Sequence, residues 1–137
     1  MSVRIVRLGS DRHPQEGVRI GTVRHPPRGV PKSEFAAQNW YDVWLPNIAP
    51  SPALIKQGRN ARSDKEWKAF ARQYRREMGD PEKKRVLDLL ATLSHTADFS
   101  VGCYCADEAR CHRAVLRDLL TERGADIVAH EQISATD

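Results

Sequence analysis

Cysteine is scarce in this chain: there are three among 137 residues, all between positions 103 and 111. So small, odd and clustered a set argues against a disulfide framework and favours reactive or packed thiols. No apolar run approaches the length needed to span a bilayer, which excludes a membrane helix and a membrane partner of that kind. The opening residues, Met1-Ser2-Val3-Arg4-Ile5-Val6-Arg7, lack the apolar core of a secretory signal, so a cytoplasmic location is expected. There is no internal repeat and no low-complexity tract, which excludes solenoid and disordered architectures.

What is present describes an ordinary globular domain. The hydrophobic content is 40% and the charged content 29%, and 137 residues suffice for one domain with its own core. The net charge is +4 and the isoelectric point near 9.2, a balance that favours an anionic partner without identifying nucleic acid. The cations are spread along the chain, and many sit near acids at helical spacing, as on a solvated helix face.

Apolar and charged residues alternate over 3–8 and again over 18–23, as in half-buried strands. Residues 11–17 read as a loop, 33–38 as a short helical turn and 40–45 as an extended segment stopped by Pro46. Ser51 before Pro52 starts a short helix, with Gly58 as its expected end. Residues 59–62 form a basic connector, an ordinary loop or a lid. Ser63 and Glu66 match a capping box, and the helix they open carries Trp67, Phe70, Ala71, Tyr74 and Met78 as one apolar stripe. Gly79 closes it. Asp80-Pro81 opens another helix, whose core face is expected to be Val86, Leu89, Leu90 and Leu93. Residues 99–104 are almost free of charge, as in a strand buried on both faces. A helical pattern follows over 107–123, then a last strand over 125–130.

This order predicts an α/β fold: a single three-layer domain over 1–130, with a central, mostly parallel sheet and helices packed on it. A frayed tail is expected over 131–137. In such folds ligands bind where strands end at their carboxyl side.

Two stretches leave strands in that way. The first is Arg24-His25-Pro26-Pro27-Arg28-Gly29, where two prolines forbid a helix and stiffen the backbone. A stiff loop with two arginines and a histidine suits an anion, because the guanidinium fork matches phosphate or carboxylate. The alternative is a surface connection whose arginines pair with acids. The second stretch, 101–113, holds all three cysteines together with His112 and Arg113. Asp107 is the expected N-cap of the helix that follows, whose first amides would add hydrogen bonds to an anion. On that helix Val115, Leu116, Leu119 and Leu120 form the apolar stripe, so Cys111 and His112 lean inward and Arg113 lies near the edge of the face.

The residue types in this second stretch support four readings. Cys105, Cys111, His112 and Arg113 would line a pocket for an anionic small molecule, with a thiol as nucleophile and the imidazole as general acid or base. Alternatively Cys103, Cys105, Cys111 and His112 bind zinc. Adjacent Cys111 and His112 on a helix would point about 100° apart, which is poor geometry for a closed site. A disulfide is a third reading, disfavoured in a cytosolic chain. In the fourth, small buried cysteines and a hydrogen-bonded histidine simply pack. The Cys105-to-Arg110 spacing is similar to that of sulfur-transfer loops, but no glycine lies between to form a tight anion cradle.

Several of these segments together resemble the YeaO-like family, domain of unknown function 488 (DUF488). Arg24 and Pro27-Arg28-Gly29, followed by Lys32, look like its first basic loop. Trp44-Leu45, Ala49-Pro50-Ser51, Trp67, Phe70, Tyr74 and Glu77 look like its middle signature. Cys103, Asp107 and Cys111-His112-Arg113 look like the ending of its Cys-His-Arg branch. The likeness covers roughly residues 3 to 120 and departs where His25-Pro26 stands in place of Leu-Trp. It implies an α/β fold and no particular activity.

The expectation is therefore a cytoplasmic α/β protein that binds, or binds and acts on, a phosphate- or nucleotide-like anion. Its ligand-binding residues would be Arg24, His25, Arg28, Asp107 and Arg113, with Cys105, Cys111 and His112 reactive, and no cofactor or metal. A nucleic-acid-binding module, resting on the arginine-rich face of the 63–78 helix, is the second class. A zinc-binding or structural domain with packed cysteines is the third.

Overall fold

The computed structural model describes residues 1–129. Four strands form one sheet in the order β1-β4-β2-β3, where β1 is Val3–Arg7, β2 Val18–Gly21, β3 Val43–Trp44 and β4 Phe99–Cys103. All three pairings are parallel. β4 is buried along its whole length between β1 and β2, the position its lack of charge demands. The strand expected over 125–130 narrows to a parallel bridge between Ile127 and Val3 at the outer edge of β1. Val3 uses its amide on Asp126 at 2.8 Å and its carbonyl on Val128 at 2.9 Å. His130 and the expected frayed tail 131–137 lie outside the described residues.

The first three α-helices begin where local chemistry supplies a cap. Ser51 accepts from the Leu54 amide ahead of α1, Pro52–Asn60, and Ser63 accepts from Glu66 ahead of α2, Asp64–Glu77. Asp80 accepts from Glu82 ahead of α3, Pro81–Leu93, with Pro81 at its first position. α1 does not stop at Gly58 as the sequence suggests. It runs on to Asn60, and that glycine is instead where α1 meets α2: a Cβ there would stand 2.8 Å from a ring carbon of Phe70. The inward face of α3 also differs from expectation. Leu87, Leu90 and Ala91 are buried, while Leu89 is 63% and Leu93 38% exposed. The stripe that faces the core is thus 87, 90, 91 and 94, and the buried Ser94 hydroxyl ends it by accepting from the Asp126 amide at 2.9 Å.

The three layers follow. Helices α1, α2, α3 and α4 (His112–Glu122) share one apolar core with the sheet face that carries Val3, Ile20, Phe99 and Val101. The opposite face, carrying Arg19 and Ser100, is covered by loop segments. Arg19 is fully buried there, paired with Glu16 at 2.6 Å, and it also donates to the carbonyls of Ser10 and Asn39. Tyr41 packs directly over Gly21, whose missing side chain makes room for the ring. Among the described residues no helix is long and apolar enough to cross a membrane.

Candidate functional site

β2 and β4 run parallel with Gly21 opposite Gly102, so the chain leaves both strands at the same sheet edge. The proline loop and the cysteine turn therefore meet there, and the Tyr104 hydroxyl ties them by donating to the His25 carbonyl at 2.9 Å. Between them, α1 and the start of α2 lies a cavity of about 970 Å3. Arg24, His25, Arg28, Cys105, Cys111 and His112 all line it. Asp107 and Arg113 do not.

Among the described residues the lining carries five arginines, Arg7, Arg24, Arg28, Arg59 and Arg110, and no aspartate or glutamate. Arg24 is held by the carbonyls of Ala49 and Pro50 at 3.0 and 3.2 Å, and Arg110 pairs with Asp64. The side chains of Arg7, Arg28 and Arg59 make no hydrogen bond or ion pair with the described residues. Three cations without acceptors among the described residues thus face a concave space. Trp40 and Tyr104, packed edge to face, add aromatic surface to its wall.

The cysteine turn departs from a simple strand-to-helix junction. Asp107 caps a single 3-10 turn, Glu108–Arg110, its carboxylate accepting from the Ala109 amide at 3.0 Å. Cys111 is extended (φ −133°, ψ 154°), and α4 begins only at His112. The expected helix over 107–123 therefore starts five residues late, and the amide next to Asp107's carboxylate is already used by it. Arg113 is buried rather than at the edge of a helix face. It donates to the Cys105 carbonyl at 2.6 Å and so shapes the turn, while its Nε has no partner among the described residues. Burial pushes its pKa below the ordinary value.

The extended backbone at Cys111 removes the objection that its sulfur and the His112 ring must point about 100° apart. Both are buried, with Cys111 Sγ 3.8 Å from His112 Nδ1. His112 Nε2 lies 2.9 Å from the Thr22 carbonyl, which can only accept, so the proton is on Nε2 and the Nδ1 lone pair faces the sulfur. Burial, aided by the nearby Arg113 charge and against the Thr22 hydrogen bond, lowers the His112 pKa to about 4. The ring is neutral at pH 7 and a weak general base there. Cys103 Sγ and Cys111 Sγ meet at bonding contact across the turn, the pairing that the disulfide reading requires, although their Cα atoms are 7.9 Å apart. One ligand atom each from Cys103, Cys111 and His112 lies within 4.8 Å of the others.

Cys105 stands apart. It follows the strand end, reaches solvent and lines the cavity, whereas Cys103 is buried. Desolvation raises its thiol pKa above the ordinary value, outweighing the lowering by Arg113. Its nucleophilicity is thus not enhanced in the resting chain.

Sequence reasoning missed Arg7, Arg59 and Thr22 as site residues. Arg7 carries a readable signal, since it ends β1 in register with Cys103. Arg59 and Thr22 carry none, because their roles depend on how distant segments pack.

A protein-family model described as the active DUF488-N3 subclade, DUF488-N3a, matches residues 3–124. No curated protein and no solved structure matches the chain.

Proposed function

The chain belongs to the DUF488 family, and on that premise we propose that it binds a phosphate-bearing, nucleotide-like small anion in the arginine-lined cavity. The family name assigns no activity, so the reading rests on the site. One observation carries it: among the described residues five arginines and no carboxylate line the cavity, and the side chains of three of the five have no acceptor there. Cations gathered in a concave, partly desolvated space repel one another unless an anion sits among them. Arg28, Arg7 and Arg59 supply charge-assisted donors, and Arg24 holds the floor of the proline loop in place through Ala49 and Pro50. The ring faces of Trp40 and Tyr104 offer a planar group a place to stack. The buried sulfur–imidazole cluster at the cavity wall is where chemistry on that anion would occur, in keeping with a subclade described as active.

Calorimetric titration with inorganic pyrophosphate tests the reading. Binding is expected, and Arg28→Ala and Arg59→Ala should each weaken it about 10-fold, equivalent to ~1.4 kcal/mol. Binding unaffected by either substitution, or no binding at low salt, overturns it.

A further inference from the structure

We propose that Cys103, Cys111 and His112 form a three-ligand zinc site whose fourth coordination position opens onto the cavity. The inference stands on the ligands alone and holds whether or not the cavity takes pyrophosphate.

Four observations converge on it. First, the three ligand atoms lie within 4.8 Å of one another, and all three residues are buried. A tetrahedral zinc ion with sulfur at about 2.3 Å and nitrogen at about 2.05 Å separates those two atoms by about 3.6 Å. Cys111 Sγ and His112 Nδ1 are already 3.8 Å apart. Second, the Cα atoms of Cys103 and Cys111 are 7.9 Å apart. That exceeds the roughly 4.4–6.8 Å span that disulfides bridge. Two side chains that reach toward each other from so far are placed to share an ion, with the sulfurs parting to about 3.8 Å around it.

Third, the histidine is oriented as a ligand. Its Nε2–H is anchored on the Thr22 carbonyl at 2.9 Å, and the Thr22 hydroxyl is in turn fixed on the Gly102 carbonyl at 2.9 Å. A backbone carbonyl behind one ring nitrogen sets the tautomer and aims the other nitrogen at the metal. Tyr74 packs edge-on against the ring with centroids 5.4 Å apart and prevents it from swinging away. Fourth, Cys103, Cys111 and His112 all line the cavity, so the position that no protein atom fills faces solvent-accessible space. Three protein ligands with one open position is the pattern of a catalytic rather than a structural zinc. Two thiolates balance the ion's charge, leaving the arginines to attract an anion toward the open position.

The test uses the full chain, reduced and stripped with a chelator, and Co(II) as the spectroscopic probe. One equivalent should give thiolate-to-cobalt charge-transfer bands with the intense visible absorption of tetrahedral cobalt, and Zn(II) should displace it. Cys103→Ser and Cys111→Ser should each weaken Co(II) binding at least about 100-fold, whereas Cys105→Ser should leave it unchanged. Because a serine variant can fail to fold, wild-type protein should also be alkylated with iodoacetamide. Zn(II) should protect Cys103 and Cys111 and leave Cys105 reactive. Cobalt absorption without charge-transfer bands, affinity that depends on Cys105 instead, or equal labelling of all three thiols with and without Zn(II) overturns the proposal. Pyrophosphate binding by the stripped protein reports separately on the arginines, so the two readings fail independently.

Discussion

Glu16→Gln should cost about 3 kcal/mol of folding stability. Glu16 and Arg19 are both buried beneath the loop layer, joined by two hydrogen bonds of 2.6 and 3.0 Å. Arg19 also donates to the carbonyls of Ser10, Asn39 and Asp11, so its guanidinium holds two loop segments against the sheet. Glutamine keeps the volume and one acceptor but removes the charge, leaving a buried cation opposite neutral partners. Breaking a buried pair in this way costs about 3–5 kcal/mol, and the retained acceptor puts this case at the low end. For a domain of this length the melting temperature should fall by roughly 10 °C. The loss has a pH signature. Burial alone would raise the Glu16 pKa, but the hydrogen bonds from Arg19, Ser100 and the His13 amide outweigh it and hold the carboxyl below its ordinary 4.5. A depressed carboxyl pKa contributes stability that is fully present above the unfolded value and lost as pH falls through the folded one. The gap between wild type and Glu16→Gln should therefore be constant from neutral pH down to about 4.5 and shrink below it. Asp42, similarly depressed by Arg12 against the effect of burial, contributes equally to both proteins and cancels in the difference. Thermal unfolding followed by circular dichroism between acid and neutral pH measures both effects. A cost under about 1 kcal/mol, or a gap that does not close in acid, would refute the reasoning.

Other perturbations separate competing forces elsewhere in the fold. Gly58→Ala should gain about 1 kcal/mol in helix propensity yet lose more to the clash with Phe70, giving net destabilisation in urea titration; a more stable variant contradicts the close α1–α2 contact. Leu87→Ala should cost about 2–5 kcal/mol while Leu89→Ala stays within about 0.5, and the reverse order would restore the other face of α3 as the core side. In the arginine-rich face of α2, Arg75 is already paired with Glu122. Any binding to a random DNA duplex should thus be weak and have a shallow salt slope in a fluorescence-anisotropy titration, and a steep slope would favour a nucleic-acid function instead.

Much of this architecture is legible because its signals are local. Ser51-Pro52, Ser63 with Glu66, and Asp80-Pro81 start helices through contacts within three residues. β4 advertises its central place by carrying no charge. What was hidden depends on distant partners. The leucine-rich α3 offers two plausible stripes, and only its packing against α4 and the 46–48 turn decides that Leu87 turns inward and Leu89 outward. Arg19 looks like the exposed half of an alternating strand until the loop layer closes over it with Glu16. The helix expected from Asp107 onward is a 3-10 turn and then an extended Cys111, and that single backbone departure changes which groups face one another. The convergence of the proline loop with the cysteine turn follows from parallel pairing of β2 and β4. The meeting of Cys103 with Cys111 follows from nothing in the local pattern.

The most direct measurement of the central claim is a map of where an anion touches the protein in solution. Pyrophosphate titrated into protein with isotopically labelled arginine side chains should shift the Nε resonances of Arg7, Arg28 and Arg59 together, saturating with one affinity. Shifts confined to Arg72 and Arg76 on α2, or none that saturate, would contradict the account.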